Sequence, residues 1–238
     1  MTDENITGIK MLPEPEDRQK ITVSKNGPCL VSGAVPLAVQ IITPDEKGYS
    51  HHWRRGIAYP LRASYALCRC GKSSTLPFCD EAHEKEGFDG TEVASRKPYT
   101  ELAKKIEGPD LDLTDFSDLC ASAKFCDRAG GIWDLTRQSD VAAAKKTAIA
   151  EAANCPSGRL VVWDKKTGNE IEPEFIRSIG LVEYDGGTKG PIWVRGGIPV
   201  VSADGTLYEV RNRVTLCRCG RSLNKPFCDS SHLEKKTE

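Results

Sequence analysis

At 238 residues with 39% hydrophobic side chains, the chain can build one large domain or two to three small ones, each with a modest core. Thirty-three basic against thirty-four acidic residues leave a net charge of −1, so there is no electrostatic footprint of a nucleic-acid binder or of a protein held on an anionic membrane. The acidic start Met1-Thr2-Asp3-Glu4-Asn5 lacks the basic segment and apolar core of a signal peptide, no run approaches the ~20 apolar residues of a bilayer span, and a soluble, cytoplasmic protein is expected. In a reducing compartment the ten cysteines read as ligands rather than disulfides, the more so because most fall into spaced groups.

Residues 1–20 are polar and rich in Pro and Glu, which predicts an N-terminal arm. A first unit follows over residues 21–98, with short β-rich runs broken by Gly and Pro. Its segment from Gly27-Pro28-Cys29 to Pro36-Leu37 runs parallel to Gly190-Pro191-Ile192 to Pro199-Val200, so the chain contains a repeat. Cys29 falls opposite Ile192 and reads as a buried apolar residue. Between this segment and the cysteine motif the first copy is fourteen residues longer, and the extra stretch holds His51-His52-Trp53. Adjacent histidines in a strand point to opposite faces and do not share an ion, so a solvated loop is expected there. Tyr59, Gly56 and Arg62 match Tyr208, Gly205 and Arg211, and Asp204-Gly205 marks a tight hairpin turn.

The repeat then reaches Leu67-Cys68-Arg69-Cys70-Gly71-Lys72-Ser73-Ser74-Thr75-Leu76-Pro77-Phe78-Cys79-Asp80-Glu81-Ala82-His83, which recurs from Leu216 to His232 with Cys217, Cys219, Cys228 and His232 at identical offsets. One residue between Cys68 and Cys70 brings two thiolates to the same side of an extended turn. Cys79 and His83, at i and i+4, share one face of a helical turn that Asp80 is placed to cap. Such a set holds either the two irons of a 2Fe-2S cluster or one zinc.

Both copies resemble the CDGSH iron-sulfur domain (mitoNEET-like) family, whose pattern is C-x-C-x2-S/T-x3-P-x-C-D-G-x-H; Ser73 and Ser222 take the S/T position, and Glu81 and Ser230 replace the glycine. The resemblance implies two 2Fe-2S clusters. Cys68 and Cys70 would hold the inner iron of the first and Cys79 and His83 its outer iron, with Cys217 and Cys219, then Cys228 and His232, in the second. It also implies an intrachain pseudo-dimer, a monomer with internal pseudo-twofold symmetry, because single-copy members pair as strand-exchanging homodimers. Replacing one thiolate by a neutral imidazole makes a cluster less negative and raises its potential, and acid should compete for the imidazole. Arg69, Lys72, Arg218 and Arg221 add positive charge in the ligand loops, or lie solvated on the surface.

The middle segment, residues 99–172, is expected to hold a short helix over Tyr99–Ile106, a strand at Ile132-Trp133-Asp134-Leu135, and a helix capped by Ser139. That helix runs to Ala152 and buries Val141, Ala144, Ala148, Ile149 and Ala152; a strand at 159–163 follows. It resembles a divergent single-cluster ferredoxin, with Cys120, Cys126 and Cys155-Pro156 in place and Ala123 where a bacterial ferredoxin has a cysteine. Three thiolates imply a 3Fe-4S cluster, or a 4Fe-4S cluster with a fourth ligand of another kind; the alternative is a unit that has lost its cluster.

The second copy fills residues 173–238, and the whole is an α+β fold of two small β-rich units around a ferredoxin-like α/β insert. With no nucleophile-base pattern, Walker loop or dinucleotide fingerprint, no enzymatic chemistry is expected. The expected role is electron transfer or redox sensing with a redox protein partner. The alternatives are cluster donation to an apo iron-sulfur acceptor and a zinc-stabilised interaction module.

Overall fold

The computed structural model describes residues 18–233; of the arm expected over residues 1–20, residues 1–17 lie outside them, as does the charged tail after Leu233, and Lys20 is not arm but the first residue of a strand, opposite Ser32. In the first copy the strands are β1 (Lys20–Val23), β2 (Cys29–Ser32), β3 (Leu37–Pro44), β4 (Ser50–Ala58) and β5 (Ser64–Leu67). The middle segment adds β6 (Lys104–Glu107), β7 (Leu111–Asp115), β8 (Leu160–Asp164) and β9 (Glu170–Ile171), and the second copy β10 (Ser178–Glu183), β11 (Lys189–Arg195), β12 (Val200–Val201) and β13 (Arg213–Leu216). The helices are α1 (Ala82–Lys85), α2 (Tyr99–Leu102), α3 (Ile132–Arg137) and α4 (Ala142–Ala153), so the fold is mixed α+β with sheet predominating.

Strand order shows how the two copies meet. One sheet runs β12-β1-β2-β5 and a second β13-β11-β10-β3-β4, so each sheet takes strand from the other copy. The borrowed strands pair in parallel, Ile21 opposite Val200 in the first sheet and Ile179 opposite Leu37 in the second. The apolar faces close on a single core in which Ile21, Val31 and Leu67 pack with Ile179, Ile192 and Leu216, all fully buried. At roughly 1.5–3 kcal/mol per buried aliphatic side chain, that shared core is the main term opposing separation of the copies. Cys29 lies in it, fully buried opposite Leu67, and burial pushes its thiol up to about 11.

Several expected elements take another form. The stretch around His51 is strand β4, paired with β3, and not a loop. The two histidines are exposed, while Trp53 stacks between Phe125 (4.9 Å) and Trp193 (4.6 Å), anchoring the hairpin on the middle segment. The helix expected to Ile106 stops at Leu102, because Ala103 is extended and Ile106 pairs with Leu113 in the middle sheet, order β6-β7-β8-β9. A four-residue helix gains too little by propagation to resist that pairing.

Ile132–Leu135 is helical, with Ile132 and Thr136 burying one face at i, i+4; so short an apolar run fits either period. Ser139 caps no helix. Its hydroxyl accepts from Asp110 N and Leu111 N (both 3.0 Å), and α4 begins only after the extended Val141, which is 54% exposed. The face that α4 buries is Ala148, Glu151 and Ala152, packed in the middle core with Leu111, Leu113, Leu160 and Val162, apart from Glu151.

Candidate functional site

Each CDGSH-like motif is folded back on the strand before it. Cys68 N bonds to Pro77 O (2.9 Å) and Cys79 N to Ala66 O (3.0 Å); in the second copy Cys217 N bonds to Pro226 O (2.8 Å) and Cys228 N to Thr215 O (2.9 Å). The loop is closed by Ser73 Oγ donating to Phe78 O (2.6 Å) and Ser222 Oγ donating to Phe227 O (2.7 Å). Asp80 ties loop to helix, accepting from Ser74 N (2.8 Å) and, with its other oxygen, from Ala82 N (3.1 Å); the Ser74 hydroxyl is the chief cause that holds its carboxyl far below the usual range. Asp229 repeats this with Leu223 N (2.7 Å) and Ser231 N (3.1 Å).

The residues in place of the motif glycine, Glu81 (φ 66°) and Ser230 (φ 75°), are left-handed. A side chain there costs about 1 kcal/mol, and the loop carries it.

This scaffold gathers the candidate ligands in pairs. Cys68 Sγ lies 3.5 Å from Cys70 Sγ, and Cys79 Sγ 3.4 Å from His83 Nδ1. The second copy places Cys217 Sγ 3.7 Å from Cys219 Sγ and Cys228 Sγ 3.5 Å from His232 Nδ1. Among the described residues no three Cys, His, Asp or Glu side chains gather around one point. Two pairs of soft donors fit a cluster of two irons, which takes two protein ligands on each.

Burial pushes Cys70 up to about 11 and Cys228 up to about 12, so metal binding has to displace protons. Cys219 is held low, first by the hydrogen bond with Cys217 and then by its Arg221 neighbour. His232 is lowered to about 4 by burial and by Arg218 and Arg221, which keeps its imidazole neutral as a metal requires.

Arg69 and Arg218, expected to tune the loops or lie in solvent, are 2% and 7% exposed. Arg69 donates to Gly27 O and Ser24 O (both 2.7 Å), and Arg218 to Gly190 O (2.7 Å) and Val182 O (2.9 Å). They clamp the β1–β2 and β10–β11 hairpins to the ligand loops. Lys72 is the solvated one, paired with Glu86 at 3.4 Å.

The two motifs touch. A Cβ on Gly71 (φ 72°) would lie 2.9 Å from Cys219 O, and one on Gly220 (φ 80°) 2.7 Å from Cys70 O, so glycine is required at both. A cleft of about 550 Å³ opens beside this contact, lined by Cys70, Cys219, Lys72, Lys189 and Arg221.

In the middle segment Cys120 follows a 3-10 turn, Cys126 lies in the turn Phe125–Gly130 and Cys155 follows α4. All three line one small cavity with Ala123, Pro156 and Arg159. Burial, then the neighbouring Cys155, pushes the Cys126 thiol far up. That cavity measures about 30 Å³, and its lining brings the three candidate ligands of this segment to one place.

Tyr184 was not among the candidates. The β10–β11 hairpin has seven residues between Val182 and Gly190, where the first copy has two between Ser24 and Gly27. The five extra residues carry Tyr184, whose hydroxyl meets His232 Nε2 (2.9 Å) and donates to Ala121 O (2.6 Å). Comparing hairpin lengths between the copies is the sequence signal that marks it. His51 and His52 stay outside all three sites, their Nδ1 atoms 3.4 Å apart.

Residues 26–84 and 189–233 match the family model described as iron-binding zinc finger, CDGSH type, and residues 106–165 match that of a divergent 4Fe-4S mono-cluster. No curated protein and no solved structure matches the chain. Both matched regions carry the ligand pairs just described, and the intervening match carries the three-cysteine cavity. The chain is therefore an iron-sulfur protein that carries two CDGSH-type iron-binding regions flanking a divergent 4Fe-4S segment.

Proposed function

We propose that the chain is a multi-cluster electron carrier. It holds one 2Fe-2S cluster on Cys68, Cys70, Cys79 and His83 and a second on Cys217, Cys219, Cys228 and His232. A third, 3Fe-4S or 4Fe-4S, sits on Cys120, Cys126 and Cys155. The observation that carries this reading is contiguity: the inner ligand loops meet at Gly71 and Gly220, and His232 reaches the Cys120 loop through Tyr184. When bound, the clusters supply one-electron chemistry; the protein holds them in a row.

The body is read as an intrachain pseudo-dimer with a ferredoxin-like insert, supported by the reciprocal parallel pairings β12–β1 and β3–β10. Its partner is a redox protein, met in the cytoplasm, and the chain performs no chemistry on a bound substrate. The near-neutral charge argues against nucleic acid, and among the described residues no helix is long and apolar enough to cross a membrane.

A second reading, donation of a cluster to an apo-acceptor, is favoured by one observation: Cys79 is half-buried where Cys228 is 3% exposed. Reduction and reoxidation through several cycles decides between them. The carrier reading expects the visible spectrum to return in full, without transfer to apo-ferredoxin; stoichiometric transfer to the acceptor would establish the donor.

A further inference from the structure

The two Cys3His sites differ, and the difference lies in what holds their histidines. Around His83, among the described residues, no group bonds to Nε2, and Gly27 provides only a backbone wall. Around His232, the Tyr184 hydroxyl is 2.9 Å from Nε2. Because that hydroxyl gives its own proton to Ala121 O at 2.6 Å, it can only accept from the imidazole. His232 must therefore carry its proton on Nε2, which leaves Nδ1, the atom facing Cys228, free for a metal. Outer hydrogen bonds of this kind fix the tautomer and ring orientation of metal-binding histidines.

Ala121 follows Cys120, and the Ser122 (φ 51°) and Lys124 (φ 57°) conformations wrap this loop around the three-cysteine cavity. The anchor of Tyr184 thus belongs to the loop that a third cluster would order. A second link between the same segments runs from Asn224 Nδ2 to Asp118 O (2.9 Å).

We propose that Tyr184 is a positioning residue that couples the three-cysteine site to the His232 site, so that filling the first strengthens retention of metal in the second. The inference rests on the cluster reading above. It assigns unequal tasks to the two family-type sites: the His232 site is an internal, tightly held station, and the His83 site is the port through which the protein exchanges with its partner. The coupling is reciprocal, since any gain that the three-cysteine site confers on the His232 site is returned.

The test uses the full chain with His83→Cys, which gives the first site an all-cysteine ligand set and lets the two 2Fe-2S spectra be followed separately. Iron and acid-labile sulfide are counted first, and cluster loss to excess ferrous chelator at neutral pH is then timed. Tyr184→Phe, Cys126→Ala and the double variant are compared. Removing one hydroxyl leaves the Tyr184 ring packed beside His232, with centroids 5.5 Å apart, so the fold is retained.

Each single variant is expected to speed loss from the His232 site by about tenfold and leave the first site unchanged, and the double variant to be no faster than either single. If Tyr184→Phe leaves the rate unchanged, or the two effects multiply towards a hundredfold, the coupling is wrong although clusters are bound. Absence of sulfide at the first count would instead overturn the cluster reading and this inference with it.

Discussion

Replacing Arg213 by Met is expected to lower the folding free energy by about 3–5 kcal/mol, the range for breaking one partner out of a buried charged network. Arg213 is 1% exposed in β13, the strand that leads into Cys217. One guanidinium nitrogen donates to Ala152 O (2.8 Å) and Ala153 O (2.7 Å) at the end of α4, and the other to Leu160 O (3.1 Å) and Glu172 (2.7 Å). Methionine fills the volume but takes the side-chain donor from Ala153 O, leaves Ala152 O with only the Cys155 N–H (3.0 Å), and deprives the Glu172 carboxylate of its cation. Lysine cannot reach two directions at once, so Arg213→Lys should recover only part of the loss. A urea titration measures this; a midpoint shift worth less than about 1 kcal/mol at unchanged slope would contradict the role. Cys155 lies two residues beyond the end of α4, so the same change should loosen the three-cysteine cavity.

Glu151→Gln should stabilise the protein above neutrality and do nothing near pH 4. Glu151 is fully buried on α4, and its nearest cation, Arg128 Nε, stands 3.6 Å away, too far for a good hydrogen bond. Burial raises its carboxyl from 4.5 to about 7, against the smaller pull of Arg128. Between those two values the folded state keeps a proton that the unfolded chain has lost. Stability therefore falls as pH rises through this window and levels off above it.

The full effect is roughly 2–3 kcal/mol, and the glutamine variant escapes it. His232 works in the opposite sense, since its lowered value costs stability as pH falls from its ordinary 6.5 toward about 4. The two slopes offset each other in the parent protein, so the difference between parent and Glu151→Gln is the quantity to plot. A difference that does not change between pH 4.5 and 8 would remove Glu151 from the account.

The motif ending at His83 and its copy ending at His232 were legible because a metal site demands particular donors at fixed offsets, and nothing else imposes that pattern twice. Their surroundings were less so. That β12, only two residues long, pairs with β1 is a long-range choice made by the shared core, and no local period announces it. The insert after Pro44 looked polar because His51 and His52 are exposed, yet Trp53 makes it a packed hairpin. Arg69 and Arg218 read equally well as solvated charges; only the carbonyls of the hairpins they clamp decide their burial. Glu151 belongs to a helix rich in Ala and Lys, where a carboxylate ordinarily faces water.

Electron paramagnetic resonance during a redox titration, with iron, zinc and sulfide counted on the same sample, tests the central claim most directly. Two 2Fe-2S signals, one of them altered by His83→Cys and the other by His232→Cys, plus a third signal lost with Cys126→Ala, is the predicted result. Stoichiometric zinc without sulfide, and no signal at any potential, would contradict it.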